Sequence, residues 1–399
     1  MKASTAALSI AHLISAGTKL GILILLMQAG GLTAAGEYSL ALAVVTPVFI
    51  LFGLSLRQIY VTHRQNTFYS HFLTLRALYG IFGVLIVCVI ALLLFRSMLP
   101  LFAAMSLYRY VELLVDIRIA HFQRKGQIFL MALSTAGFSI ITATVLAIAF
   151  VLTDNLSIGV LTACVAGGAV FAVLTWTGPR PEKASRWFPR KSLFIEVSRG
   201  GAMLSVSSFA VSMGTNIPVL LLSAFHSPAA VGIYSAIFNL TAISNILFSS
   251  VSQAELRGFV ELAQKAHFRR FLRRGRSLSW VLLVPAFVGT ILLYFVGTDV
   301  FSFVFGEDFS SYRAALMVMG ATICITPFGF MLDVQLTALQ RFSVQSALSL
   351  ITLGLTMVLG LLLIPDMSIL GCTLIVFAIM LVRNTAKHFL LRSAVHRTT

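Results

Sequence analysis

Apolar runs of about 18 to 25 residues follow one another along the whole chain, each closed by a short polar or charged cluster. In a helix each residue advances about 1.5 Å, so runs of that length cross a hydrocarbon core about 30 Å thick. The approximate spans are 6–29, 38–57, 72–95, 98–117, 128–152, 156–177, 200–223, 232–254, 278–297, 312–332, 343–364 and 368–390. The pattern therefore predicts twelve helices. It lacks the period-2 alternation of membrane strands, and helices then remain the way to satisfy the backbone inside lipid. The fold class is an all-α membrane protein. The run Ala6 to Ala29 is too long for a signal-peptide core, so the first span is expected to be retained.

The polar clusters give the spans a direction, because lysine and arginine accumulate in cytoplasmic connections. Even-numbered connections and the termini carry Lys2, Arg57 and Arg64, Arg118, Arg124 and Lys125, and Arg180, Lys183, Arg186, Arg190, Lys191 and Arg199. Farther along come Arg257 through Arg276, Arg341, Arg392 and Arg397. Odd-numbered connections hold Glu37, Asp154, Asp299, Glu307, Asp308 and Asp366, against only Arg96 and Arg313. Both termini are expected on the cytoplasmic side.

Composition agrees with this reading: 58% of residues are hydrophobic and 11% charged, where soluble domains average about 45–50% and 25%. The net charge of +16 has one dense focus, FRRFLRRGR at 268 to 276, placed between two spans. Topology and attraction to anionic lipid account for it there, and no nucleic-acid partner is expected. Cys88, Cys164, Cys324 and Cys372 sit inside apolar runs without CxxC spacing, so neither a disulfide framework nor a metal site is indicated. No cofactor motif, HExxH or nucleophile elbow occurs.

Residues 34 to 39 read AAGEYS and residues 230 to 235 read AVGIYS, nearly half the chain apart. Each copy ends an outside corner and begins a span, the second and the eighth. Two six-helix halves in the same orientation explain the repetition, the parallel arrangement related by an axis along the membrane normal. The expected lobes are 1–178 and 200–399, joined by a cytoplasmic linker at 179–199 within the proline-rich, charged stretch GPRPEKASRWFPRKSLF.

The corner AVGIYSAIF, the segment FGEDFSSYRAAL at 305 to 316 and the segment LTALQRF at 336 to 342 resemble the polysaccharide transporter family. These are the Wzx-type flippases of the multidrug/oligosaccharidyl-lipid/polysaccharide (MOP) superfamily. The resemblance implies a two-lobed, MATE-like transporter of the bacterial inner membrane. Its substrate would be an undecaprenyl-pyrophosphate-linked oligosaccharide carried to the periplasmic leaflet for surface polysaccharide assembly, with polysaccharide polymerases as possible partners. It also implies a cationic cavity facing the anionic head group.

Charges inside spans cost roughly 2.5–3.5 kcal/mol each at the bilayer centre on insertion scales, so each one present has a reason. Lys19 lies about 21 Å along the first helix, too deep for easy snorkelling. In MSLYRYVELLVDIR, Arg109, Glu112 and Asp116 are spaced i, i+3, i+7 and share one face. A structural ion-pair lock and a substrate and coupling site are both compatible with that face. Lys19, Arg57 and Arg109 are the candidate cations for a pyrophosphate, with Asn216 and Asn239 as polar additions. Glu112 and Asp116 are candidate ion-coupling groups, Asp116 because only a like charge is visible near it in sequence. Charges within spans are otherwise confined to the first half, and Arg383 and Lys387 read as snorkelling residues. Rival functions are a drug or cation antiporter, which needs an acid-dominated cavity, and a membrane polymerase or ligase, which needs a sizeable periplasmic catalytic loop.

Overall fold

The computed structural model describes residues 2–62, 69–178, 191–339 and 341–396, and every element among them is helical. In chain order these are α1 (Lys2–Phe52), α2 (Leu56–Thr62), α3 (Tyr69–Leu94), α4 (Leu99–Arg124), α5 (Ile128–Thr153), α6 (Leu156–Thr177), α7 (Lys191–Phe225), α8 (Pro228–Gln264), α9 (Phe268–Phe305), α10 (Arg313–Ala338) and α11 (Phe342–His396). Arg64, Arg180, Lys183, Arg186, Arg190 and Arg397, with most of the expected linker, lie outside the described residues, as do the side chains of Lys2, Lys191, Arg199 and Arg257.

Among the described residues, ten helical segments are long and apolar enough to cross a membrane. Two of them, Ile10–Val61 and Val344–Ser393, run for 52 and 50 residues, about 75 Å at 1.5 Å per residue and more than twice a hydrocarbon core. Within them, α1 and α11 each contain one residue with non-helical backbone: Gly31 (φ 73°, ψ −179°) in α1 and Ser368 (φ 49°, ψ −124°) in α11. Gly31 falls in the gap that the apolar pattern leaves at 30–37, and Ser368 is the first residue of the span at 368–390.

The other corners are short and locally specified. Asp154 closes α5 in the left-handed conformation, and the Asn155 side chain then caps α6 by accepting from Ser157 N at 3.0 Å and Ile158 N at 3.2 Å. Ser227 caps α8, with Pro228 at its start, where a missing N–H costs nothing. In the FGEDF corner, Gly306 ends α9 at φ 75°, and the exposed Asp308 carboxylate accepts from Ser310 N at 2.8 Å and Ser310 Oγ at 3.0 Å. Those two bonds, the backbone one first, hold the Asp308 carboxyl below its ordinary range. Phe309 plugs the corner, fully buried against Phe301 and Phe305 at ring distances of 5.3 and 5.7 Å.

One expectation is corrected. FRRFLRRGR is no open connection: it forms the first turns of α9, with Phe268, Phe271 and Gly275 buried and Arg269, Arg270, Arg273 and Arg276 exposed. Spacing of i, i+3, i+7 makes the basic string one amphipathic helix.

The chain resolves into two compact units, Met1–Gly30 with Glu37–Met213, and Gly31–Gly36 with Gly214–Thr399. In the first, Leu56, Phe72, Leu75 and Ile117 share a core, and Val115, Phe122, Met131 and Phe138 another. In the second, Phe259, Phe271, Met331, Leu336 and Leu391 pack together. Large apolar side chains such as Leu93, Leu152 and Phe303 stay exposed on the outside, as lipid-facing positions do.

The repeated corner has a packing role inside the second unit. A Cβ placed on Gly36 would sit 1.8 Å from the Pro228 carbonyl oxygen, and one on Gly232 would sit 2.5 Å from the Leu32 carbonyl oxygen. The two glycines let backbone meet backbone, as small residues do at membrane helix crossings. Gly36→Leu should therefore lower thermal stability in detergent by about 1–3 kcal/mol or more, the range for overpacking. Gly168→Leu, where nothing lies within 4 Å of the added Cβ, should leave the unfolding temperature unchanged.

Candidate functional site

The site lies within the first unit, on the face of α4 that carries Arg109, Glu112 and Asp116. All three line a cavity of about 390 Å³ together with Thr46, Arg57, Arg76 and Ser208. The shared face expected from the i, i+3, i+7 spacing is thus present.

Asp116 is held by two arginines from other helices. Arg57 Nη1 of α2 reaches Oδ1 at 2.7 Å, and Arg76 Nη2 of α3 reaches Oδ2 at 2.7 Å. Each carboxylate oxygen takes one guanidinium, a charge-assisted arrangement of the strong kind. Arg76 is buried and also donates Nη1 to the Gly53 carbonyl at 2.6 Å and Nε to the Leu113 carbonyl at 3.3 Å. One side chain therefore ties together the end of α1, α3 and α4. The corner it holds is bent: Leu54 and Ser55 both lie in the left-handed region at φ 47° and 45°, where non-glycine residues are strained. A Cβ on Gly201 of α7 would sit 2.3 Å from the Leu54 carbonyl oxygen, and Ser55 Oγ lies 3.2 Å from Ser205 Oγ. Close packing by α7 clamps the strained pair from the other side.

Arg109 pairs with Glu112 one turn away and donates Nη2 to Thr46 Oγ1 at 3.1 Å. Its buried Nε has no hydrogen-bond partner among the described residues. Lys19 does not line the cavity, yet Glu112 and Arg109 are the charges that act on it. The cavity wall thus carries three guanidinium groups against two carboxylates, and Lys19 adds a fourth cation nearby. At an effective dielectric near 20, unit charges about 4 Å apart interact by about 4 kcal/mol, so an unbalanced cation here attracts anions strongly.

Two expectations need correction. Asp116 is not an unpaired carboxyl beside a like charge, because its partners come from helices distant in sequence. Buried charge is not confined to the first half: in the second unit, Asp333 of α10 pairs with Lys387 Nζ at 2.6 Å and Arg383 Nη2 at 3.3 Å. Lys387 is only 3% exposed and does not snorkel. The polar candidates Asn216 and Asn239 belong to the second unit, outside this cavity, and Asn239 Nδ2 donates to the Ser235 carbonyl of its own helix at 2.8 Å. Sequence reasoning missed Arg76 and Asp333. The signal was available, since a lone charge inside an apolar run is improbable without a partner.

Residues 1–256 match the family model described as polysaccharide biosynthesis protein, and the chain belongs to that family. A curated relative, the capsular polysaccharide biosynthesis protein CapF of Staphylococcus aureus, is 23% identical over 380 residues, covering 92% of each protein. Among solved structures, the lipid II flippase MurJ in an inward closed conformation superposes with a TM-score of 0.78 at 12% identity, covering 96% of this chain and 87% of that one. An inward-facing multidrug resistance MATE transporter of the MOP superfamily gives 0.70 at 14% identity, with 96% and 95% covered. A MOP superfamily transporter from Pyrococcus furiosus gives 0.68 at 11% identity, with 98% and 95% covered. The fold is that of these multi-pass membrane transporters.

Burial separates the roles of the two arginines on Asp116. Arg76→Ala removes a buried side chain that donates to the Gly53 carbonyl and to the part-exposed Asp116 carboxylate, which keeps Arg57, and should cost about 1.5–3 kcal/mol in thermal unfolding of the detergent-solubilised protein. Arg57, about a third exposed, should cost no more than about 1 kcal/mol when truncated. Arg76→Leu combined with Asp116→Leu should recover much of the single-variant loss.

Proposed function

We propose that this chain is a flippase that moves an undecaprenyl-pyrophosphate-linked oligosaccharide repeat unit across the bacterial inner membrane for surface polysaccharide assembly. Its cation-rich cavity would hold the pyrophosphate. The observation that carries the reading is the imbalance of the wall, among the described residues three guanidinium groups against two carboxylates, with a buried Arg109 N–H that has no partner among them. Guanidinium forks suit phosphate oxygens, and a donor left open in a low-dielectric site is one that a ligand can fill. Membership in a polysaccharide biosynthesis family supports a glycan cargo, and the likeness to a lipid II flippase supports a lipid-linked one.

In this reading Arg57 and Arg109 contact the anionic head group and Lys19 adds positive charge from beside the cavity, while Arg76 positions Asp116 and the α1–α2 corner. Asn216 and Asn239 are the proposed polar contacts for sugars. Glu112 is the better candidate for ion coupling, because it shares Lys19 and Arg109 and would feel any anion that competes for them; Asp116, held from both sides, would respond less. The chain would cross the membrane twelve times, with Gly31 and Ser368 each separating two crossings and both termini cytoplasmic. Its lobes, 1–178 and 200–399, would be parallel repeats joined at 179–199. Transport needs no catalytic group.

A drug or cation antiporter of the same superfamily is the second reading, favoured by the likeness to MATE transporters. A cation cargo calls for acidic excess, whereas this cavity has the opposite sign.

Two measurements test the reading. Lys19→Ala and Arg109→Ala should each weaken head-group binding by about 1.5–3 kcal/mol, the range for a hydrogen bond to a charged group. Complete repeat units should then accumulate in the cytoplasmic leaflet at unchanged protein level, read by mass analysis of lipid-linked intermediates. Normal export by both variants would refute the cationic site, and full rescue of Arg109→Ala by Glu112→Ala would assign Arg109 to structure. Single cysteines in a cysteine-free background should be labelled near residue 305 in intact cells, and near 265 only after permeabilisation.

A further inference from the structure

The basic end of α9 carries charges that the first-unit site does not use. A second cavity, about 300 Å³, lies among α9, α10 and α11 wholly inside the second unit. Its floor is tight: a Cβ on Gly275 would sit 2.4 Å from Gln335 Nε2, which itself donates to the Phe271 carbonyl at 3.0 Å. One wall is aromatic, with Trp280 and Phe328 edge to face at 5.7 Å, and Leu272 and Leu332 continue it. The rim is cationic. Arg276 and Arg392 line it, and both guanidinium charges act on the His388 ring beside them.

Two features separate this cavity from an ordinary surface cleft. No carboxylate lines it, and among the described residues neither Arg276 nor Arg392 has an ion-pair partner. Two like charges that line one cavity and act on one ring, with no counter-ion among the described residues, favour an anion there. The cavity is also amphipathic, and the surface next to it is apolar: Trp280, Val281 and Phe389 are 57%, 63% and 66% exposed. A soluble phosphate would have no use for that wall. A phospholipid would, because its phosphate meets the arginines while its glycerol and first acyl carbons lie on the aromatic side, the depth where tryptophan settles. The volume equals about ten waters at roughly 30 Å³ each, enough for a head group and too small for a whole lipid.

We propose that this cavity binds the head group of an anionic phospholipid, with Arg276 and Arg392 on the phosphate and Trp280 and Phe328 against the glycerol and upper chain. The inference uses the second unit alone and stands or falls apart from the transport reading.

The test is thermal unfolding of the full chain in neutral detergent, titrated with phosphatidylglycerol, with phosphatidylcholine of the same chains, or with glycerol phosphate. Phosphatidylglycerol should raise the unfolding temperature saturably and the other two should not. Raising salt from about 50 to about 500 mM should weaken its effect, because rim-exposed charges are screened within a Debye length. Arg276→Gln/Arg392→Gln should reduce the apparent affinity for phosphatidylglycerol about tenfold, and Trp280→Ala should reduce it without changing the salt dependence. Equal stabilisation by both phospholipids would overturn the proposal, as would a salt-independent effect of phosphatidylglycerol on the unaltered protein, which needs no variant to fold. Equal stabilisation by glycerol phosphate would make this a soluble-phosphate site and also overturn it.

Discussion

The first unit depends on a carboxylate that water cannot reach freely and that two guanidinium groups neutralise from opposite oxygens. Without Asp116, the buried Arg76 would lose the charge that compensates its desolvation, and the Gly53 carbonyl would lose a donor that is itself held in place. Without Arg76, the left-handed pair Leu54 and Ser55 would lose the anchor next to it. Geometry at the α1–α2 corner and electrostatics at the cavity wall are therefore one problem. The same three helices that close the corner also set how far the wall deviates from neutrality.

That coupling explains why a lock and a site need not be alternatives. Arg76 and Asp116 behave as a lock, being buried or bridged and fully engaged. Arg109 is engaged only in part, since one donor remains open although Glu112 and Thr46 occupy others. A single helical face can thus carry a rigid portion toward its C-terminal end and a receptive portion one to two turns earlier. The second unit repeats the theme with different parts, an aspartate on α10 gripped by two cations of α11.

The spans were legible because membrane crossing imposes a length, and length survives in sequence whatever the packing. Corners were legible where one residue type was needed, as with Asn155 at a cap or Gly306 in the left-handed region. Partners were not. Asp116 has Glu112 near it in sequence, but Arg57 and Arg76, 59 and 40 residues away, are nearer in space; spacing along one helix carries no record of which neighbour packs against it. Reading FRRFLRRGR as a connection failed for a different reason. Its charge count outweighed the periodicity of Phe268, Phe271 and Gly275, which was equally visible and belongs to a helix. The backbone contact between the repeated corners had a visible cause, a glycine in each copy, but which surface those glycines met depended on tertiary packing.

The two long helical segments bend at chemically unequal points. Gly31 visits its bent conformation without steric penalty, and so can straighten or bend with little preference. Ser368 carries a side chain into a region that L-residues avoid, at a cost on the order of 1–3 kcal/mol. The first bend is then a free joint and the second a cocked one, which releases energy if it ever opens. Any movement that straightens both segments would be driven at one end of the chain and merely permitted at the other, giving the chain a built-in direction of yielding.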